Sequence, residues 1–84
     1  MNYLVGDIGN TSTKISVLNH NFNVKKSFNL NTNEIYKNKN INKFFKKFLN
    51  SNLNKKVLFS SVVPKAYKIV RKYLKKKKFQ IIRN

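Results

Sequence analysis

The chain has no cysteine, and among its 84 residues only Asp7 and Glu34 are acidic. Without cysteine, neither a disulfide framework nor a thiolate metal site can staple the fold. The longest strongly apolar runs, Tyr3-Leu4-Val5 and Val57-Leu58-Phe59, fall far short of the roughly 20 residues that cross a bilayer. The start lacks a basic segment followed by an apolar stretch and a small-residue cleavage site, so no secretory signal is visible. A cytoplasmic protein without membrane partners is the expectation. No repeat is evident, and no Gly-, Pro- or Ser-rich linker divides the chain, which has the length of one small domain. A domain of this size buries roughly 60–65% of the surface its unfolded chain exposes, so its core is marginal.

Basic residues are plentiful: 19 Lys and Arg give a formal net charge of +17. Such a charge suggests a nucleic-acid binder held by phosphate contacts. The competing explanation is codon bias. All but Arg71 and Arg83 of the basic residues are lysine, and asparagine is abundant, as in A/T-rich coding sequence. Dedicated phosphate readers favour the bidentate arginine fork. Lysines occur in or beside nearly every element, with Lys75 to Lys78 the one dense run, so the charge is expected to spread over several faces. Codon bias is therefore preferred, with nucleic acid kept as the alternative partner.

Hydrophobic patterning gives the order βββαβαβ. Residues 2–8 read as a buried strand, and Gly9-Asn10-Thr11-Ser12 as a turn, because Gly and Asn tolerate left-handed backbone. From Thr13 to Leu18 the chain alternates, with Thr13, Ile15 and Val17 on one face. After an Asn19-His20-Asn21 turn, Phe22, Val24, Phe28 and Leu30 continue a period of two. These segments predict an antiparallel meander over residues 2–30. Ile41, Phe44, Phe45, Phe48 and Leu49 then take helical spacing. Asn31 with Glu34 can cap that helix, unless Asn38-Lys39-Asn40 delays its start by a turn. Residues 56–63 read as a buried strand running into a loop, and Pro64 suits the first position of a second helix. Ala66, Tyr67, Val70, Tyr73 and Leu74 form its apolar stripe, and Phe79 to Ile82 make a last short strand. A meander followed by two βα crossings implies an α/β fold with parallel strands added to the hairpins in one mixed sheet.

The chemically informative stretch is Asp7-Ile8-Gly9-Asn10-Thr11. It puts a carboxylate at a strand end, then a glycine turn, an amide and a hydroxyl. Phosphoryl transfer needs such groups together: a carboxylate holds Mg²⁺ directly or through water, while backbone N–H groups and a hydroxyl contact phosphate oxygens. A plain β-hairpin with a Gly-Asn turn fits the same residues. His20 could be proposed as a general base, but between two asparagines in a turn it reads as a surface residue. Phe44, Phe45 and Phe48 read as core, although part of their face would be left uncovered if a second half of the fold is missing.

Asp7-Ile8-Gly9-Asn10-Thr11 after an apolar strand resembles the opening phosphate motif of type III pantothenate kinases. Their second signature, an apolar strand ending in Ser-Ser-Val-Val-Pro, is matched by Ser60-Ser61-Val62-Val63-Pro64, and Asn33-Glu34-Ile35-Tyr36 is similar to the start of the family's first helix. The resemblance runs along essentially the whole chain. It implies a truncated, ribonuclease H-like half-domain, residues 1–84 being part of the N-terminal lobe of an actin-like kinase in the acetate kinase, sugar kinase, heat-shock chaperone and actin superfamily. The implied reaction is ATP-dependent phosphorylation of pantothenate, the first step toward coenzyme A. By the same resemblance Asp7 serves Mg²⁺ and phosphate, Gly9, Asn10 and Thr11 line the nucleotide-phosphate cleft, and Ser61 to Pro64 shape a structural loop. Family members form homodimers and need a monovalent cation such as K⁺. They also carry a later glycine-rich segment with an Asp-Arg pair, which supplies the general base, and a second lobe. These 84 residues hold neither, so no complete catalytic set is expected and the chain is expected to be inactive alone. A small basic nucleic-acid-binding module, or a non-catalytic subunit completed by another polypeptide, are the alternatives.

Overall fold

The computed structural model describes residues 1–49 and 52–83. Strands β1 (Tyr3–Ile8), β2 (Ser12–Leu18) and β3 (Val24–Asn31) form the expected meander. A 3₁₀ turn (Thr32–Tyr36) leads into α1 (Asn38–Lys46), followed by β4 (Lys56–Ser61), α2 (Pro64–Lys76) and β5 (Gln80–Arg83). The sheet order is β3-β2-β1-β4-β5, with β1–β2 and β2–β3 antiparallel and β1–β4 and β4–β5 parallel. This is the mixed α/β sheet that the patterning implied, compatible with an actin-like half-domain. No helix among the described residues is long and apolar enough to cross a membrane.

Side-chain alternation decides which face of the sheet is covered. Leu4 and Ile8 of β1, Thr13, Ile15 and Val17 of β2, and Val57 and Phe59 of β4 are all buried. Register places them on one face, since Leu4 lies opposite Val17, Ile8 opposite Thr13, and Gly6 opposite Ile15 and Phe59. Onto that face pack Ile41, Phe44, Phe45 and Phe48 of α1 and Ala66, Tyr67, Val70 and Leu74 of α2. The phenylalanine cluster is therefore covered, against the expectation that part of it is left bare. Phe28 and Phe48 meet edge to face at 4.6 Å, the geometry that ring quadrupoles favour. Tyr73 stacks on Phe45 at 5.3 Å and its hydroxyl lies 3.0 Å from Asn42 Oδ1; burial pushes the phenol pKa up. On the other face, Asp7, Lys14, Leu58 and Ile82 are exposed.

Two local expectations need correction. Phe22 belongs to no strand: it sits in the turn at φ 64° and is exposed, its ring tilted against Tyr3 at 5.1 Å. Asn19 explains why the turn outlasts the period-2 pattern, because its Oδ1 accepts from the N–H groups of Asn21 and Asn23 at 2.9 and 3.0 Å. Asn31 caps the 3₁₀ turn, accepting from Asn33 N–H at 3.1 Å, and α1 begins only at Asn38. Glu34 does not close a capping box; its carboxylate accepts from the Asn40 side chain and lies 3.5 Å from Lys37 Nζ. The basic residues lie on several faces as expected, with Lys72 and Lys76, Lys43 and Lys47, and Arg71 and Lys75 lining three separate pockets and Lys14, Lys25 and Lys56 exposed on the sheet, but their numbers differ. Residues 37–47 and 64–78, the helical layer, hold thirteen of the 19 basic side chains, because the buried stripes of α1 and α2 leave mostly lysines to face outward.

Candidate functional site

β1 and β4 run parallel, so their C-terminal ends meet at one edge of the molecule. That brings together two motifs some fifty residues apart in sequence. Asp7 lies opposite Ser60 and Ile8 opposite Ser61, and Val62 N–H donates to the Ile8 carbonyl at 3.1 Å. Asp7-Ile8-Gly9-Asn10-Thr11 and Ser60-Ser61-Val62-Val63-Pro64 thus form one rim, which the first turn of α2 joins at Pro64. In doubly wound and mixed α/β sheets the carboxyl ends of parallel strands are where ligands bind.

Each motif is held by its own backbone. Gly9 N–H donates to the Ser12 carbonyl at 2.9 Å, closing a tight turn. The expected reason for glycine here was left-handed backbone, but no glycine has a positive φ and neither has Asn10. The reason is space: a Cβ on Gly9 would stand 2.9 Å from the Ser12 carbonyl oxygen. In the second motif Ser61 Oγ accepts from Val63 N–H at 3.0 Å and donates to the Val63 carbonyl at 3.1 Å, which folds the loop back before Pro64 opens α2. Val62 is exposed, and Val63 packs against the core.

Three residues that the sequence did not single out build this rim. Thr32, from the 3₁₀ turn, donates its hydroxyl to the Gly9 carbonyl at 2.7 Å and its N–H to the Thr11 carbonyl at 2.9 Å. Its hydroxyl also pairs with that of Thr13 at 2.9 Å, and both threonines are buried. Gly6 is the third. Three ring atoms of Phe59 lie within 2.6 Å of where its Cβ would be, so the ring rests on bare backbone and sets β1 against β4. Alternating threonines in a strand and a glycine beside an aspartate were the available signals, but nothing in the sequence pairs Thr13 with Thr32 or Gly6 with Phe59.

Three side chains of the first motif are open to solvent. Asp7, Asn10 and Thr11 are exposed, and no side-chain hydrogen bond or ion pair within the described residues engages them. Lys14 is the cross-strand neighbour of Asp7 on β2. No three His, Cys, Asp or Glu side chains gather into a metal cluster among the described residues. A single hard carboxylate with an adjacent amide and hydroxyl suits Mg²⁺, which keeps most of its own waters and takes one or two protein carboxylates. Glu34 is already engaged by Asn40 and Lys37, and His20 is exposed in its turn.

Comparison with known proteins accords with this geometry. No individual curated protein matches the chain significantly. The family model described as type III pantothenate kinase matches residues 3–83, from the first residue of β1 to the last of β5. The chain therefore belongs to the type III pantothenate kinase family.

Proposed function

We propose that residues 1–84 form the phosphate-binding part of the N-terminal lobe of a pantothenate kinase, acting in the first step of coenzyme A synthesis. The supporting observation is the convergence of Asp7–Thr11 and Ser60–Pro64 at the ends of two parallel strands. Asp7 would hold Mg²⁺ directly or through water, and Mg²⁺ would neutralise charge on the ATP phosphates. The Gly9 turn gives a backbone that a phosphate can approach closely, with Asn10 and Thr11 as side-chain donors. Ser61 to Pro64 shape the opposite wall. K⁺ enters by family membership, and no residue here is assigned to it.

The same inventory limits what these residues do alone. Phosphoryl transfer rests on positioning and charge neutralisation on all sides of the phosphate. Of the two carboxylates in this sequence Asp7 serves the metal and Glu34 is tied to the 3₁₀ turn, so none is left to orient the pantothenate hydroxyl. These 84 residues are a partial domain that needs a second lobe, supplied by further chain, by another polypeptide or within a homodimer.

The test mixes the purified 84-residue chain with ATP, Mg²⁺, K⁺ and pantothenate, with and without a separately supplied second lobe of a type III enzyme. We expect turnover only in the mixture, abolished by Asp7→Asn. Turnover by the chain alone would overturn the incomplete-site reading. Turnover in the mixture that survives Asp7→Asn would overturn the role of Asp7 and favour a non-catalytic subunit.

A further inference from the structure

The helical layer carries a feature that the kinase reading does not use. Neither α1 nor α2 contains an acidic residue, whereas lysines recur along both. On α2, Lys65, Lys68, Lys72 and Lys76 follow steps of three and four residues, which keeps them on one face about 4.5–6 Å apart along the axis. Lys39, Lys43 and Lys47 recur with similar spacing on and just beyond α1, although Lys43 and Lys47 line a separate pocket with Leu30 and Glu34. Between the helices runs an open groove of about 520 Å³, lined in part by Asn42, Lys72, Tyr73, Lys76 and Lys77. Like charges four residues apart repel, and neither helix carries an acidic side chain to offset the α2 row. A polyanion laid along the groove would remove that repulsion.

The surroundings select the polyanion. The exposed large apolar residues are Met1, Phe22, Val24, Tyr36, Leu58, Val62 and Ile82, none of them in α1 or α2. The layer therefore lacks the apolar face that an anionic bilayer would need and the aromatic anchors of a protein interface. The aromatic rings near the lysines are occupied: Tyr73 lies between Phe45 at 5.3 Å and Lys77 at 5.8 Å, and Arg83 sits 4.5 Å over Tyr67. No ring within the two helices is left to stack on a base, and Tyr36 at the edge of the layer has Lys65 5.4 Å over its ring, whereas single-strand readers stack bases on open rings. What remains is an array of cations at regular spacing, the footprint of phosphate-backbone contact.

We propose that the α1–α2 face binds nucleic acid through its phosphate backbone and does not read sequence. The test is fluorescence anisotropy with two short duplexes of unrelated sequence and one single strand, over a range of salt concentrations. Two triple variants are compared, Lys68→Gln/Lys72→Gln/Lys76→Gln on α2 and Lys14→Gln/Lys25→Gln/Lys56→Gln in the sheet. Both remove three charges at exposed sites, and circular dichroism checks that each is folded. We expect both duplexes to bind equally, with a log–log salt slope of about −0.9 per phosphate contacted. The α2 triple should weaken duplex binding at least about tenfold at 0.1 M salt and flatten the slope by about 2–3. The sheet triple should change it less than about threefold, and the single strand should show a shallower slope, about −0.7 per contact. Equal loss in the two triples would show that net charge alone acts and would overturn the proposal. So would a clear preference between the duplexes, no binding at low salt, or equally tight binding to anionic vesicles or poly-glutamate.

Discussion

Replacing Gly6 with alanine tests how the two motifs are brought into line. Three ring atoms of Phe59 lie within 2.6 Å of the site of the new Cβ, while carbon atoms in contact settle at about 3.5–4 Å. The ring must therefore retreat by about 1 Å or more. Phe59 is fully buried on β4, beside the central strand β1, so it has no solvent to turn into. Overpacking of this kind costs about 1–3 kcal/mol, and a ring enclosed on all sides belongs at the upper end. The better strand propensity of alanine returns about 0.5 kcal/mol, leaving a net cost of about 2–3 kcal/mol. For a domain of this length, whose total stability is on the order of 4–12 kcal/mol, that lowers Tm by roughly 10–20 °C. Thermal and urea melts of Gly6→Ala, Phe59→Leu and the double variant form a cycle that isolates the contact. Phe59→Leu removes ring atoms from the clash, so the double variant should be more stable than the sum of the single losses by at least about 1 kcal/mol. A Gly6→Ala protein within about 0.5 kcal/mol of the parent, or strictly additive losses, would refute the reasoning.

Other consequences concern the turn, the end of α2 and the charge. Thr32→Val leaves the Gly9 carbonyl and the Thr13 hydroxyl without their partner and should cost about 1–3 kcal/mol in urea melts, whereas Thr32→Ser should cost much less. Equal losses for the two would mean that the methyl group holds the turn as much as the hydroxyl does. Lys78 closes α2 at φ 72°, with Phe79 N–H bonded to the Leu74 carbonyl at 3.0 Å and Lys78 N–H to the Lys75 carbonyl at 3.0 Å, a Schellman ending that glycine fits better. Lys78→Gly should therefore raise stability by about 0.5–1 kcal/mol by the same assay, and a loss would show that the Lys78 side chain contributes more than its backbone strain. The net charge of +17 repels itself, so Tm should rise between 0.01 and 0.15 M salt as the screening length falls from about 30 to about 8 Å. A flat or falling Tm over that range would show that self-repulsion does not limit stability.

Where burial is one-sided, the sequence could be read directly. The alternation of Thr13, Ile15 and Val17, the helical spacing of Ile41, Phe44, Phe45 and Phe48, and Pro64 at the head of α2 each correspond to a covered face or a cap. The motif at Asp7–Thr11 stands out because Asp7 is one of two acidic residues in so basic a chain. What escaped depends on long-range partners. Phe22 fits a period of two, but Asn19 holds the backbone of the turn past it. Gly6 looks like an ordinary strand residue until Phe59, more than fifty residues later, is laid across it. Thr32 lies outside both motifs and reaches Gly9 because the 3₁₀ turn follows β3 at the same end of the sheet. The lysines are dispersed in sequence and lie on several faces, and only their unequal share is hidden from the pattern. Two helices on one face of the sheet gather most of them into a layer.

In the proposed function, the rim formed by Asp7–Thr11 and Ser60–Pro64 holds the phosphates of a magnesium nucleotide. Amide chemical-shift mapping tests it most directly, titrating Mg²⁺-ATP into the isotopically labelled chain and into Asp7→Asn at 0.15 M salt. We expect shifts concentrated at Gly9 to Ser12 and Ser61 to Val63, and their loss in Asp7→Asn or when Mg²⁺ is chelated. Shifts confined to α1 and α2, unchanged by Asp7→Asn, would contradict it.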